Sequence, residues 1–276
     1  MRKTLLAASI AAAFALPSVS HAQATAAAAP ASPHTITGNV GLFSSYRFRG
    51  IDQTFGKPAL QGGIDYSHAS GIYLGNWNSN VSSGAGYPGG NLEMDFYGGW
   101  KNTWGDWGLD VGALYYYYPG TNSGAAIAFS PANNRTGRIA TGRVDNSEIY
   151  IGGSWKFLSL RYSQALGDYF STPDTKNSNY LDFGATHDFG NGWGVNGHIG
   201  SLRFKNMTNG SYSDWKLGVT KEISGWVLAA SYVDTNAKGN CSPTAVLQVY
   251  CFANGSATST KDAGRSTLVL SVSKTF

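Results

Sequence analysis

Residues 147–163 read SEIYIGGSWKFLSLRYS, and this stretch decides the fold. Each half carries an apolar side chain at every second position, with polar side chains between them, including Glu148 in the first half and Arg161 in the second. A period of two is typical of a β-strand that has one apolar face. The junction near Lys156 is too short for anything except a tight turn, so the stretch predicts an antiparallel hairpin.

The same alternation recurs along the chain and predicts twelve strands, most of them about 9–12 residues long, which suits a tilted strand that crosses a membrane. The predicted strands are 35–46, 58–68, 71–81, 91–101, 107–118, 146–156, 157–165, 178–188, 193–203, 211–222, 226–234 and 265–276.

The connections between these strands alternate between short and long. The short ones are 68–71, 102–106, the junction near Lys156, 189–193 and 222–226. The long ones are 47–57, 82–90, 119–145, 166–177, 204–210 and 235–264. Outer-membrane barrels have short periplasmic turns and longer extracellular loops, whereas a soluble sandwich does not need this asymmetry. We therefore predict an all-β fold, a transmembrane antiparallel β-barrel of about twelve strands.

The composition supports a membrane barrel. Charged residues make up 13% of the chain, about half the usual share of a soluble domain, while 36 glycines and 13% aromatic residues are present. No apolar run approaches the roughly 18 residues of a membrane helix. The formal net charge is +4, and so small an excess argues against a nucleic-acid-binding surface.

Both ends of the sequence carry export signals. Residues 1–22 have a basic start, an apolar run and small residues before a cleavage site, which predicts a signal peptide. Residues 23–34 form an Ala/Pro spacer, and residues 35–276 form the barrel. The strand at 265–276 ends on Phe276, which resembles the assembly signal that the barrel-assembly machinery recognises. We expect a Gram-negative outer-membrane protein that contacts outer-membrane lipid.

Alternation also assigns the two faces of the wall. A Lys or Arg on the lipid side at mid-depth costs about 2–4 kcal/mol, so the charged face must be the lumen. The Trp residues gather near the short turns, and Tyr115–Tyr118 lie at the opposite end, as two aromatic girdles would. The candidate pore-lining residues are Arg47, Arg49, Asp65, Glu93, Asp95, Tyr97, Asp110, Glu148, Arg161 and Lys216.

Four stretches carry a family resemblance: 44–54 (SSYRFRGIDQT), 57–81, 93–100 (EMDFYGGW) and 109–120 (LDVGALYYYYPG). They resemble the TorF-family porins, also called the Gcw_chp family. The resemblance implies a bacterial outer-membrane β-barrel and a passive channel. It brings no catalytic residues and no cofactor.

Few other motifs indicate chemistry. Cys241 and Cys251 lie in the last long connection, and an even pair in an oxidising compartment predicts a disulfide. The sequence GAGYPGG at 84–90 contains G-x-G-x-x-G, but Pro88 and a further strand follow it, so a glycine loop is expected rather than a dinucleotide site. The five histidines show no spacing that indicates a metal site or a catalytic triad.

Arg47 and Arg49 allow two interpretations. Alternation places them on the inward face of the first strand, as a cation pair at the pore mouth that faces Asp65, Glu93, Asp95 or Asp110. Alternatively, they form a structural salt-bridge cluster that fills the lumen, as side chains do in small barrels.

We expect a non-enzymatic porin-like channel for passive diffusion of small hydrophilic solutes or ions, constricted by an inward fold of loop 119–145. The alternatives are a plugged structural or adhesion barrel that acts through its extracellular loops, and an outer-membrane barrel enzyme. Porins often form trimers, and nothing in the sequence marks an interface, so a homo-oligomer stays open.

Overall fold

The computed structural model describes residues 32–85, 87, 90–121, 143–242, 248–253 and 259–276. The predicted signal peptide, most of the spacer and the greater part of loop 119–145 lie outside the described residues. Twelve strands form the wall: β1 (His34–Phe43), β2 (Ala59–His68), β3 (Ile72–Asn80), β4 (Leu92–Trp104), β5 (Trp107–Tyr117), β6 (Asp145–Trp155), β7 (Leu158–Ala165), β8 (Asn179–Gly190), β9 (Trp193–Arg203), β10 (Tyr212–Ile223), β11 (Trp226–Thr235) and β12 (Thr267–Thr275).

Each wall strand pairs antiparallel with the strands before and after it in the chain, and β12 pairs with β1, so the sheet closes. At the closure Val40 lies opposite Lys274. The Phe276 amide donates to the Gly38 carbonyl at 2.8 Å, and the Gly38 amide donates to the Phe276 carbonyl at 3.2 Å. The all-β, twelve-stranded antiparallel barrel predicted from the sequence is confirmed.

The outside of the barrel carries the apolar half of the alternation. On β10, Trp215, Leu217 and Val219 are exposed while Asp214 is buried. Five of the six tryptophans predicted at the short turns are exposed, namely Trp104, Trp107, Trp155, Trp193 and Trp226. A ring of exposed tryptophan at one end, below a belt of exposed aliphatic side chains, is the surface that a bilayer interface and its hydrocarbon core require.

Lys274 faces outward in this belt, on the last strand. Its ammonium nitrogen lies 5.2 Å from the centre of the Trp226 ring and 5.7 Å from that of Phe276. The cation therefore sits among interfacial aromatic rings close to the short-turn end, where a lysine can reach the polar headgroups.

The two ends of the barrel differ as predicted. Short turns join β2 to β3, β4 to β5, β6 to β7, β8 to β9 and β10 to β11, and the long connections all lie at the other end. The last long connection contains a small hairpin, Cys251–Ala253 with Thr260–Asp262, and the predicted disulfide between Cys241 and Cys251. Within the described residues, no helix is long and apolar enough to cross a membrane.

A substitution at Leu217 tests which side of the wall faces hydrocarbon. Leu217 is 57% exposed in the middle of β10. Leu217→Arg should lower the free energy of unfolding in lipid vesicles by about 2–4 kcal/mol, because a guanidinium replaces an alkyl group in the hydrocarbon. Leu217→Met is the matched control and should cost less than about 1.5 kcal/mol. Equal stability of the arginine and methionine variants would contradict the lipid-facing assignment.

Candidate functional site

The first long connection, residues 44–58, folds back into the lumen as a small hairpin. Arg47–Phe48 pairs with Ile51–Asp52, and Arg49 and Gly50 form the turn between them. Both turn residues have positive φ, 47° and 80°, as type I′ hairpin turns require. We call residues 47–52 the inserted hairpin.

The tip of the inserted hairpin lies against β10 and β11, which are three and two strands away from β1 around the barrel. A Cβ atom placed on Gly50 would lie 2.8 Å from Cβ of Asp214 on β10 and would also overlap Thr235 on β11. Only glycine leaves room for this approach, and only glycine adopts the positive φ without cost. The Tyr212 hydroxyl on β10 donates to the Arg49 carbonyl at 2.8 Å. The backbone of the tip thus lies against β10 and β11, and the Arg49 side chain extends from there to Glu148 on β6.

Arg49 makes the central contact of this arrangement. Its Nη2 donates to Glu148 Oε2 at 2.7 Å and its Nη1 donates to Glu148 Oε1 at 3.0 Å, so the ion pair is bidentate. Nη1 also donates to the Tyr169 hydroxyl at 2.9 Å. The guanidinium carbon lies 4.4 Å from the centre of the Tyr180 ring. Burial lowers the pKa of Arg49, but the Glu148 carboxylate raises it well above its usual value, so the side chain is cationic.

The base of the inserted hairpin is held by the last long connection. The Asp52 amide donates to the Ala263 carbonyl at 2.9 Å, and Arg47 Nη1 donates to the same carbonyl at 3.1 Å. Lys261 Nζ lies 3.1 Å from the Asp52 carboxylate, which is 1% exposed. The Cys241–Cys251 disulfide closes residues 241–251 of this connection. Cys251–Ala253 then pairs with Thr260–Asp262, next to the residues that hold the hairpin.

A second polar cluster lies on the inner faces of β2–β7. The Tyr97 hydroxyl donates to Asp65 at 2.6 Å, and the Tyr73 hydroxyl donates to Asp110 at 2.6 Å. Arg161 completes the cluster: its guanidinium carbon lies 3.6 Å from the centre of the Tyr150 ring, and Nη2 lies 4.0 Å from Asp110. The two carboxylates accept hydrogen bonds from the tyrosines, and Asp110 also lies near the Arg161 cation. Charges of both signs therefore face the same part of the lumen.

Glu93 and Asp95 are buried on β4, nearer the long-loop end. They are 1% and 2% exposed. The Tyr46 hydroxyl, from the start of the long connection, donates to Glu93 at 3.0 Å.

A third cluster lies on β8–β10; Lys216 was among the predicted site residues, whereas His198, Asp182, Asp214 and Tyr180 were not. His198 Nδ1 lies 2.9 Å from Asp182, and Nε2 lies 3.6 Å from Asp214. The Tyr180 hydroxyl donates to Asp214 at 2.9 Å. Lys216 lies opposite His198 in the register of β9 and β10. Among the described residues, no group of three or more His, Cys, Asp or Glu residues is arranged to hold a metal ion.

The ten predicted candidates lie on the inward face of the wall or in the inserted hairpin. Of the two interpretations of Arg47 and Arg49, the pore-mouth pair is contradicted, while the salt-bridge cluster agrees with their contacts. They do not extend the first strand, since β1 ends at Phe43. Nor do they pair with Asp65, Glu93, Asp95 or Asp110. Arg49 forms an ion pair with Glu148. Arg47 Nη2 lies 3.8 Å from Asp52 Oδ2 within the same hairpin. In the sequence, the alternation of inward and outward positions continues from β1 through Arg47 and Arg49, although these residues leave the wall in the inserted hairpin.

Among the residues that contact Arg49, Tyr169 and Tyr180 were missed. Tyr180 follows the alternation of β8 and shares a face with Asp182, so applying the same rule to that strand would have found it. Tyr169 lies in the connection between β7 and β8. No periodic signal marks it.

The sequence profile of a family described as "Bacterial protein of unknown function (Gcw_chp)" matches residues 27–276. The chain belongs to the Gcw_chp family. The resemblance to that family is confirmed, and the TorF label stays a prediction. No curated protein sequence matches this member of the Gcw_chp family.

Solved barrels resemble this member of the Gcw_chp family over nearly their whole length. A structure of the KdgM porin in complex with disordered oligogalacturonate has 8% identity and a TM-score of 0.49, covering 87% of this chain and 97% of that one. The NanC porin has 11% identity and a TM-score of 0.49, covering 88% and 99%. OmpT of Vibrio cholerae has 8% identity and a TM-score of 0.41, covering 88% and 99%. Likenesses this distant carry no functional argument.

A pair of glycine substitutions tests whether the hairpin tip packs against β10 and β11. Gly50 and Gly105 both have positive φ, but a Cβ atom on Gly105, in the β4–β5 turn, would have no neighbour within 4 Å. Each Gly→Ala change carries the same backbone cost of about 1–2 kcal/mol. Gly50→Ala should lower the thermal unfolding midpoint further and speed proteolysis within residues 44–58, because its methyl group displaces the tip from Asp214. Equal effects of the two substitutions would mean that the tip does not contact the wall.

Proposed function

We propose that this protein is a porin-like outer-membrane channel for small hydrophilic solutes or ions, closed at rest by the inserted hairpin. One observation carries the proposal: in the described part of the chain, the segment that enters the lumen as a hairpin has a two-residue turn, while the wall behind it is lined by charged and tyrosine side chains. A wall meant to be permanently filled would gain more from apolar packing than from buried ion pairs.

The proposed open state differs from the closed one by movement of the tip of the inserted hairpin, while the base of residues 44–58 stays held by β1, β2 and the last long connection. The contacts that hold the tip are polar and few, namely the Glu148 pair and the hydroxyls of Tyr169 and Tyr212. The tip also packs on aromatic rings: Phe48 lies 5.5 Å from Tyr116 and 5.8 Å from Phe170, between ring centres. Release of the tip would uncover a polar passage along the inner wall.

The proposal includes the remaining expectations from the sequence. Residues 1–22 would direct export and be cleaved, Phe276 would be read by the barrel-assembly machinery, and the mature barrel would sit in outer-membrane lipid. Whether the barrels associate with one another is left to measurement.

A permanently plugged structural or adhesion barrel is the second candidate. The packing of the inserted hairpin favours it, since a cavity of about 40 Å³ between the hairpin and residues such as Tyr169, Phe204 and Tyr250 leaves room for only a few waters. The enzyme alternative gains less support. His198 lies between two carboxylates, which suits an ion-pair cluster rather than a base that activates a nucleophile. The absence of enzyme activity stays a prediction.

Single-channel recording in planar bilayers separates the two candidates. The wild-type barrel should give small or infrequent current steps. A variant with residues 47–52 replaced by alternating Gly and Ser should give larger or more frequent steps, because the inserted hairpin and its Arg49–Glu148 pair are then lost. Leu217→Met, which changes only the outer surface, controls for refolding and should match the wild type. No steps from either the wild type or the hairpin variant would contradict the channel and support the plugged barrel.

A further inference from the structure

The contacts of the Arg49 guanidinium are those that a free guanidinium ion would seek. Two parallel N–H groups donate to the two oxygens of Glu148 at 2.7 and 3.0 Å, and a further N–H donates to the Tyr169 hydroxyl at 2.9 Å. The guanidinium carbon lies 4.4 Å from the centre of the Tyr180 ring. A carboxylate fork combined with an aromatic face is specific for a planar, delocalised cation. An ammonium ion would neutralise the Glu148 charge but has no planar pair of N–H donors to match both carboxylate oxygens.

The groups that form this surface belong mostly to the wall. Glu148 lies on β6, where the Asn146 side-chain amide donates to its Oε1 at 3.0 Å. Tyr180 lies on β8 and is oriented by its hydrogen bond to Asp214 at 2.9 Å. These contacts do not involve the inserted hairpin. The surface therefore persists when the hairpin leaves, and Arg49 is its occupant rather than one of its parts.

We propose that this wall surface recognises small cations that carry a guanidinium group, and that Arg49 fills it in the closed state as an internal ligand. The inference rests on the proposed channel function and names the class of solute that opens it. A cavity of about 20 Å³, enough for about one water, adjoins the guanidinium and is lined among others by Leu114, Arg161 and Asp182.

Charge balance couples release of the hairpin to entry of such a cation. The Glu148 side chain is 2% exposed, and a buried carboxylate that loses its partner is strongly destabilised. Arg161 is not a substitute, since it lies on the Tyr150 ring and faces Asp110. Among the described residues, Arg49 is the cation within salt-bridge distance of Glu148. A replacement cation restores the pair, whereas a neutral or anionic solute does not.

Guanidinium and urea form a matched pair for the test, because they share size and planarity and differ in charge. In planar bilayers with constant KCl, guanidinium should raise the ratio of open to closed wild-type channels about tenfold at ten times its dissociation constant. Urea at the same concentration should leave the ratio unchanged. Glu148→Gln should remove the difference between the two. The inference is overturned if guanidinium and urea act alike on wild-type channels.

A binding measurement keeps the inference separate from the channel proposal. The refolded Arg49→Ala barrel, with its wall contacts intact, should bind methylguanidinium in calorimetry. The double variant Arg49→Ala, Glu148→Gln should bind it at least about tenfold more weakly, because a buried charge-assisted pair is lost. The barrel with residues 47–52 replaced by Gly and Ser repeats the titration if Arg49→Ala does not refold.

The outcomes of the two experiments are distinguishable. If no protein conducts under any condition, the channel proposal fails, and binding of methylguanidinium to the vacated site still decides the inference. If the channel conducts but neither vacated barrel binds methylguanidinium, the recognition site is disproved while the channel stands.

Discussion

Hydrocarbon offers no hydrogen bonds, so every backbone amide and carbonyl in the membrane must be paired within the protein. The antiparallel sheet meets this constraint only because β12 pairs with β1, with Val40 opposite Lys274 in the register, and so closes the barrel. The other features follow from closure. Once the sheet has no edge, alternate side chains must face either lipid or lumen, and at the depth of the hydrocarbon core charged groups are tolerated only on the lumen side.

The lumen then presents the opposite problem, since charges gathered in a narrow space need partners. The wall solves it locally with tyrosine hydroxyls and ion pairs, as in the Asp65–Tyr97 and Asp110–Tyr73 contacts. At Glu148 the partner comes instead from the inserted hairpin. The same ion pair therefore satisfies a buried carboxylate and, in the proposed channel, holds the inserted hairpin in the closed position, which links the electrostatics of the wall to the position of residues 44–58.

The strands could be predicted closely because lipid on one side imposes a strict period of two. The sixth strand was predicted at 146–156 and lies at Asp145–Trp155. The inserted hairpin could not be predicted, because its defining contact joins Arg49 to Glu148 across 99 positions. Its sequence even mimics the wall, since Arg47 and Arg49 continue the alternation of β1. The only mark of the hairpin turn in the sequence is Gly50, and the two strands that flank the turn are only two residues long each.

A nitroxide scan along β10 (Tyr212–Ile223) in lipid vesicles tests the membrane barrel most directly. Labels at the outward positions 215, 217 and 219 should show high collision rates with oxygen, which concentrates in hydrocarbon. Labels at the inward positions 214, 216 and 218 should show low rates, giving an oscillation with a period of two. A scan without this oscillation, or with the maxima at the inward positions, would contradict a cylinder whose apolar face meets lipid.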